Sequence, residues 1–313
     1  MVRNTLLVFA SLGTLSLAAC GDDSTSGGAP PGGGGGGGAG GEVATGGGGG
    51  AAVDNVVGGD RPATVFVPSS YDPATPAPLL VLLHGYSATG ALQELFFNFE
   101  AMAEERGFLY VYPDGLIDAN DENFWNATDA CCGFVGPEVD DSAYLIGLVD
   151  EISEKFSVDP KRVYFAGHSN GGFMSHRMAC DHADRVAAIM SLAGATWADP
   201  AQCQPSEPVS VVQVHGTADD VIFYEGGDLF GNEYPSAAET VAYWAGVAGC
   251  DPTAPPATPL DIAVSPSELT QFSGCAPGVD VELWTIEGGT HIPGLSAAFG
   301  PALFDFFESH AKP

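Results

Sequence analysis

Apolar residues follow two alternating rhythms along this chain. Residues 79–83 (Leu-Leu-Val-Leu-Leu), 108–112 (Phe-Leu-Tyr-Val-Tyr), 163–166 (Val-Tyr-Phe-Ala), 187–192, 209–214 and 281–286 are short, mostly apolar runs. Runs of this kind predict strands covered on both faces. Between them the spacing becomes helical. Leu145, Leu148, Val149, Ile152 and Phe156 share one helical face behind Asp140, a residue suited to cap it. Helices are also predicted over 91–106, ended by Gly107, and over 172–180, 236–248 and 302–310. Residues 63–67 alternate up to Pro68 and predict an edge strand. Strand and helix in alternation predict an α/β fold, a mostly parallel sheet with helices on both faces. Chemistry then belongs in loops at the carboxyl ends of the strands. Two stretches lack either rhythm: the loop over 116–139, and the Pro-rich insert between Cys250 and Cys275.

Neither rhythm is present before residue 52. Arg3, the apolar run 6–17 and then Leu17-Ala18-Ala19-Cys20 read as an export signal over residues 1–19. The run is too short to span a bilayer, which takes about 20 residues. Leu-Ala-Ala-Cys resembles the lipobox of bacterial lipoproteins, which implies cleavage before Cys20 and lipidation of its thiol. Residues 21–51 are dominated by Gly, with Ser, Ala and Pro, and read as a flexible tether. One domain over 52–313 is expected. It is expected outside the cytoplasm, secreted or held to a membrane only by the lipid on Cys20.

Composition narrows the partners. Nine basic against 40 acidic residues give a formal charge of -31. That excludes nucleic acid and anionic surfaces, and favours an uncharged substrate. Beyond Cys20, six cysteines remain: Cys131, Cys132, Cys180, Cys203, Cys250 and Cys275. An even number in an exported domain predicts disulfides rather than a metal site. Cys250–Cys275 would staple the Pro-rich insert. Cys131 and Cys132 would then reach Cys180 and Cys203, in an order the spacing leaves open.

The candidate chemistry sits at strand ends. Gly167-His168-Ser169-Asn170-Gly171 follows the run 163–166 and precedes a predicted helix. Strand, Gly-x-Ser-x-Gly, helix is the layout of a nucleophile elbow in the α/β-hydrolase fold. A serine hydroxyl needs a histidine base, and the histidine needs a carboxylate. In this fold the order is serine, acid, histidine. After the run 209–214 the chain reads His215-Gly216-Thr217-Ala218-Asp219-Asp220, and Asp219 is the expected acid with Asp220 as alternative. After 281–286, Gly288-Gly289-Thr290 leads to His291, the expected base. Backbone N–H groups of Asn170 and Tyr86 are the expected oxyanion donors. Trp125, His84 and His168 are candidates to line the substrate site, and the aromatic ring of Phe223 is a further one. No cofactor or metal is called for, and a monomer is expected.

Taken together, Leu-His-Gly, Gly-His-Ser-Asn-Gly-Gly, His-Gly-Thr-Ala-Asp-Asp and Gly-Gly-Thr-His resemble the secreted feruloyl esterase and polyhydroxybutyrate depolymerase family. So do Trp125-Asn126-Ala127, Cys131-Cys132-Gly133 and Asp140-Asp141. The resemblance covers residues 53–313. It implies hydrolysis of carboxylic esters outside the cytoplasm, with Ser169 as nucleophile, Asp219 as acid and His291 as base. It also supports disulfides through Cys-Cys-Gly. Ser-Asn-Gly-Gly is more like the feruloyl branch, and Ile292-Pro293 replaces the tryptophan that polymer depolymerases tend to carry after the histidine. A feruloyl esterase acting on plant cell-wall xylan is therefore expected. Polyhydroxybutyrate depolymerase and acetylxylan esterase are the alternatives, and a carbohydrate-binding protein with a degenerate hydrolase fold is the non-enzyme one.

Overall fold

A computed structural model describes residues 54–133 and 139–312. The expected lipid site Cys20 and the tether lie outside the described residues.

Eight strands form the main sheet: β1 (Ala77–Leu83), β2 (Leu109–Val111), β3 (Val158–His168), β4 (Ala188–Leu192), β5 (Ser210–Gly216), β6 (Thr258–Leu260), β7 (Ser267–Gln271) and β8 (Val281–Ile286). Their spatial order is β6-β7-β8-β5-β4-β3-β1-β2. Every pairing from β8 to β2 is parallel. The pairings β6/β7 and β7/β8 are antiparallel. The sheet is therefore parallel where the sequence rhythm predicts it, and antiparallel at one edge.

Alternate residues of the strands feed two cores, because successive side chains point to opposite faces. Leu79, Val81, Val163, Phe165, Val211 and Leu283 face one side. There α3 (Asp141–Lys155), α4 (Asn170–Asp181) and α5 (Ala237–Val247) cover them through Leu145, Ile152, Phe173, Met178 and Trp244. Leu80, Leu82, Tyr164, Met190, Val214 and Trp284 face the other side. There α1 (Gly90–Phe97), α2 (Phe99–Arg106) and α6 (Phe299–Ser309) contribute Phe97, Phe99, Leu303, Phe304 and Phe307. The expected caps are in place. The Asp140 side chain accepts from the Ala143 N–H, and Ser236 with Glu239 makes a capping box at the start of α5.

Four expectations are corrected. Residues 91–106 are two helices, because Asn98 between them adopts φ 54°, a left-handed conformation that asparagine tolerates and a helix does not. Of 63–67 only Ala63–Thr64 is a strand, paired with Val56–Val57 in a separate ribbon. Phe66 makes a single antiparallel bridge to Tyr110 on the β2 edge, and flanking Pro62 and Pro68 prevent a longer ladder. The insert between Cys250 and Cys275 holds β6 and β7, the antiparallel extension. Its prolines are tolerated there because β6 is the sheet edge.

The fourth correction concerns disulfides. Cys250–Cys275 forms as expected, but Cys131 bonds Cys132 and Cys180 bonds Cys203. Cys180 lies at the end of α4 with its Cα 5.3 Å from that of Cys203, within bridging range. The two neighbours in the 116–139 loop pair with each other. All six cysteines are thereby oxidised, which leaves no thiolate for the metal alternative.

Candidate active site

Ser169 joins β3 to α4 at φ 54°, ψ -119°. A positive φ in a residue with a side chain costs about 1–3 kcal/mol and persists only where neighbours enforce it. The Ser169 N–H donates to the Leu192 carbonyl at the end of β4 (2.8 Å), and its carbonyl accepts from the Phe173 N–H (3.0 Å). Close backbone approach does the rest. A side chain at Gly167 would strike the Gly171 carbonyl, and one at Gly171 would strike the Leu83 carbonyl at the end of β1. Gly85, in the turn after β1, lies against the Cβ of Ser169. Asn170 is the first residue of α4, so its N–H is one of the helix's unpaired donors.

Asp219 lies in the turn after β5 and is 5% exposed, whereas Asp220 is open to solvent. Its Oδ1 accepts from the N–H groups of Val221 (2.9 Å) and Ile222 (3.0 Å). Its Oδ2 lies 2.9 Å from His291 Nδ1 and 3.4 Å from His215 Nε2. Burial alone would raise this carboxyl. Hydrogen bonds from His215, His291 and the backbone outweigh burial and hold it well below the usual carboxylate range. With an ionised acceptor opposite it, His291 Nδ1 is the ring nitrogen that donates to Asp219.

His168 ties the two halves of the site together. Its Nε2 donates to the His291 carbonyl (2.8 Å), and the two rings are 4.8 Å apart. The loop bearing His291 is thus anchored to the residue immediately before Ser169. Burial, with a smaller contribution from His291, pushes the His168 imidazole down to about 3. It stays neutral and acts as a fixed donor to the loop that carries His291.

Two other expected substrate contacts are also buried. Trp125 is 0% exposed, its ring packed 5.0 Å from that of His84 and beneath the Arg61 guanidinium. Neither ring offers a face to a substrate in this arrangement. His84 Nδ1 donates to the Gly85 carbonyl, and its Nε2 accepts from the Gly115 N–H, both at 2.8 Å. Burial lowers its pKa and keeps it neutral, so it shapes the turn after β1. Tyr86 is half-buried, its hydroxyl donating to Asp118 (2.7 Å). Burial and then Asp118 push that phenol up to about 12.

The sequence reading missed the side chain of Asn170. Its Oδ1 accepts from the Trp125 N–H (2.7 Å) and its Nδ2 donates to the Trp125 carbonyl (2.9 Å). The residue after the nucleophile therefore clamps the 116–133 segment by both edges of one amide. Arg177 and Asp141 hold the next residue, Asn126, by its carbonyl and N–H. Asparagine within the elbow was the available signal, since its amide carries a donor and an acceptor side by side, spaced to match a peptide's carbonyl and N–H.

The family model Esterase, described as "Putative esterase", matches residues 55–228, more than half the chain. That span includes Ser169 and Asp219 and ends before His291. Among curated proteins, feruloyl esterase B of Piromyces equi is 29% identical over 81% of this chain and 46% of its own length. Feruloyl esterase D of Neurospora crassa is 26% identical over 81% of this chain and 83% of its own length. This chain thus spans about half the length of the Piromyces protein and most of the Neurospora one. Among solved structures, an acetyl xylan esterase from Aspergillus awamori superposes with a TM-score of 0.56 at 17% identity, over 82% of this chain and 95% of that one. This likeness establishes the α/β-hydrolase fold.

Proposed function

From the premise that the chain belongs to the Esterase family, we propose that it is a serine carboxylic ester hydrolase using Ser169, His291 and Asp219. The observation that carries this reading is the 2.9 Å bond between His291 Nδ1 and Asp219 Oδ2, on a loop bonded to the residue before the strained serine. His291 Nε2 takes the proton of the Ser169 hydroxyl as Oγ attacks the ester carbonyl. Asp219 holds the ring and stabilises the imidazolium. The N–H groups of Asn170 and Tyr86 receive the developing oxyanion. The tetrahedral intermediate collapses, His291 returns the proton to the leaving alcohol, and an acyl-Ser169 remains. Water, deprotonated by His291, releases the carboxylic acid and restores the serine.

The proposed substrate is a hydroxycinnamoyl ester of plant cell-wall xylan. Two relatives named feruloyl esterase, each aligned over 81% of this chain, support it. So do Phe223 and Ile292, 50% and 58% exposed, which follow the acid turn and the base and would give an aromatic acyl group an apolar wall. The net charge of -31 favours a neutral ester. Export and lipidation at Cys20 complete the proposal. A Cys20→Ala chain is expected to leave the membrane fraction.

Methyl ferulate, acetylated xylan and polyhydroxybutyrate, offered in parallel to the full chain, test the substrate. Release of ferulate is the expected result. Acetate release or polyester clearing without ferulate release would replace the substrate and leave the chemistry standing. Failure on every ester would sink the chemistry.

A further inference from the structure

Behind Asp219 runs a line of buried polar side chains that the proposed mechanism does not use. Trp244 of α5, His176 of α4 and Gln213 of β5 are 0% exposed, and His215, at the end of β5, is 1% exposed. The Trp244 indole Nε1 lies 3.0 Å from His176 Nδ1. His176 Nε2 lies 3.0 Å from Gln213 Oε1. Gln213 Nε2 lies 3.3 Å from His215 Nδ1 and 2.8 Å from the Gly194 carbonyl. His215 Nε2 lies 2.9 Å from the Ile222 carbonyl and 3.4 Å from Asp219 Oδ2.

The direction of every bond is dictated by chemistry at two points. An indole N–H can only donate, so His176 Nδ1 accepts, and its Nε2 carries the proton. A backbone carbonyl can only accept, so the amide edge of Gln213 facing Gly194 is its NH₂, and its oxygen faces His176. Both constraints give the same orientation of Gln213. Its NH₂ then donates to His215 Nδ1, which leaves the His215 proton on Nε2. That proton faces the Ile222 carbonyl and Asp219 Oδ2. The Ile222 N–H in turn donates to Asp219 Oδ1, so His215 holds the acid through the turn that carries it and lies 3.4 Å from its Oδ2.

We propose that Trp244, His176 and Gln213 fix His215 as a neutral Nε2–H donor, and that His215 is a positioning residue that presents the Asp219 carboxylate to His291. This rests on the reading of Asp219 as the acid of the site. A network satisfied throughout has one stable arrangement, because reversing any member leaves a buried donor facing a donor or an acceptor facing an acceptor. The depressed pKa values of His176, at about 4, and of Asp219 agree with a neutral imidazole chain ending on an ionised carboxylate. The apolar alternative would fill the same volume with less at stake, since an unsatisfied polar group there costs about 1–3 kcal/mol.

The test uses hydrolysis of p-nitrophenyl acetate by the full chain, with imidazole ¹⁵N spectra of the same proteins. His215→Phe is expected to lower kcat by about 10-fold with KM unchanged, the scale of one hydrogen bond to a charged group. His215→Gln, which keeps a donor at the same reach, is expected to recover most of it. In the unsubstituted chain the His215 and His176 rings should both show a protonated Nε2 and an unprotonated Nδ1. Gln213→Leu should shift the His215 pattern toward mixed tautomers and lower kcat alongside, which keeps the test open if His215→Phe does not fold. Wild-type kcat in folded His215→Phe, equal losses in the Phe and Gln variants, or a protonated His215 Nδ1 in the unsubstituted chain would each overturn the proposal. Full turnover in Ser169→Ala would instead overturn the underlying reading of the site.

Discussion

Ser169, His291 and Asp219 stand at the carboxyl ends of β3, β8 and β5, while Ser309, His310 and Asp280 meet at the opposite end of the same sheet, beside the start of β8. The second grouping has the same three residue types at hydrogen-bonding distance. His310 Nε2 lies 2.9 Å from Asp280, and its Nδ1 lies 3.2 Å from the Ser309 hydroxyl. The difference is in what else faces the ring. His310 Nδ1 also lies 2.7 Å from the Phe306 carbonyl, which can only accept, so the nitrogen nearest Ser309 carries a proton and cannot take one. The Ser309 hydroxyl likewise donates back to the Phe306 carbonyl (2.7 Å). Ser169 instead projects from a strained turn, and the His291 nitrogen that the acid engages is Nδ1, with no backbone carbonyl recorded on Nε2 among the described residues. A serine, a histidine and an aspartate at contact distance do not make a nucleophile; the acceptors around the imidazole decide it. The second grouping fastens the end of α6 to β3 through the Tyr164 hydroxyl and the His310 carbonyl.

The largest expected contrast between the two ends is kinetic. Ser169→Ala should lower turnover of p-nitrophenyl acetate by about 10⁴-fold or more, while Ser309→Ala should leave it unchanged. Equal losses would break the distinction. Next, Asp219→Asn should cost about 10⁴-fold in kcat through the wrong His291 tautomer. Its counterpart Asp280→Asn should leave kcat alone and cost no more than about 1 kcal/mol, since that carboxylate is part-exposed. Steady-state rates and urea unfolding separate the two.

A third contrast lies at the Ser169 end. Asn170→Ala leaves the N–H of buried Trp125 without its partner and its carbonyl with only the longer 3.4 Å bond from the Cys132 N–H, and should lower unfolding free energy by about 1–3 kcal/mol, read by denaturant titration. Retained stability would mean that the other bonds to the 116–133 segment, those of Arg177, Asp141 and Tyr86 among them, hold it without the Asn170 amide. The smallest effect is on pH dependence. Burial holds His168 at about 3 and His176 at about 4, below an unfolded value of about 6.5. The unfolded chain therefore binds more protons in this window, and their contribution to stability is full above pH 6.5 and is lost as pH falls. From pH 7 to 5.5 the two should remove about 2 kcal/mol. A His168→Gln, His176→Gln chain should show a flatter profile, and an unchanged slope would place these rings in water.

Much of the fold is legible because its parallel strands are built on mostly apolar runs that alternate along the chain with helices. The antiparallel edge was hidden by its prolines, and the break at Asn98 by one residue's backbone. At the site, the order of Ser169, Asp219 and His291 could be read from strand ends. The turn after β5 also favours Asp219 over Asp220, and in the structure it is Asp219 that is buried and bonded to His291. His84, His168, His176 and His215 look alike in sequence, yet each is given one tautomer by partners from distant segments.

The sequence by itself determined the layered α/β architecture, the elbow around Ser169 and the cysteines available for bonding, since these depend on local patterning and on residue type. Tertiary structure alone decided how the four cysteines other than Cys250 and Cys275 pair, that Trp125 is buried under Arg61 rather than open to substrate, and that Asn170 clamps the neighbouring loop. It also decided that Ser309, though beside a histidine, faces a nitrogen already protonated. These depend on the distance and direction of donors and acceptors brought together from remote parts of the chain, and on the cost of leaving any of them buried without a partner.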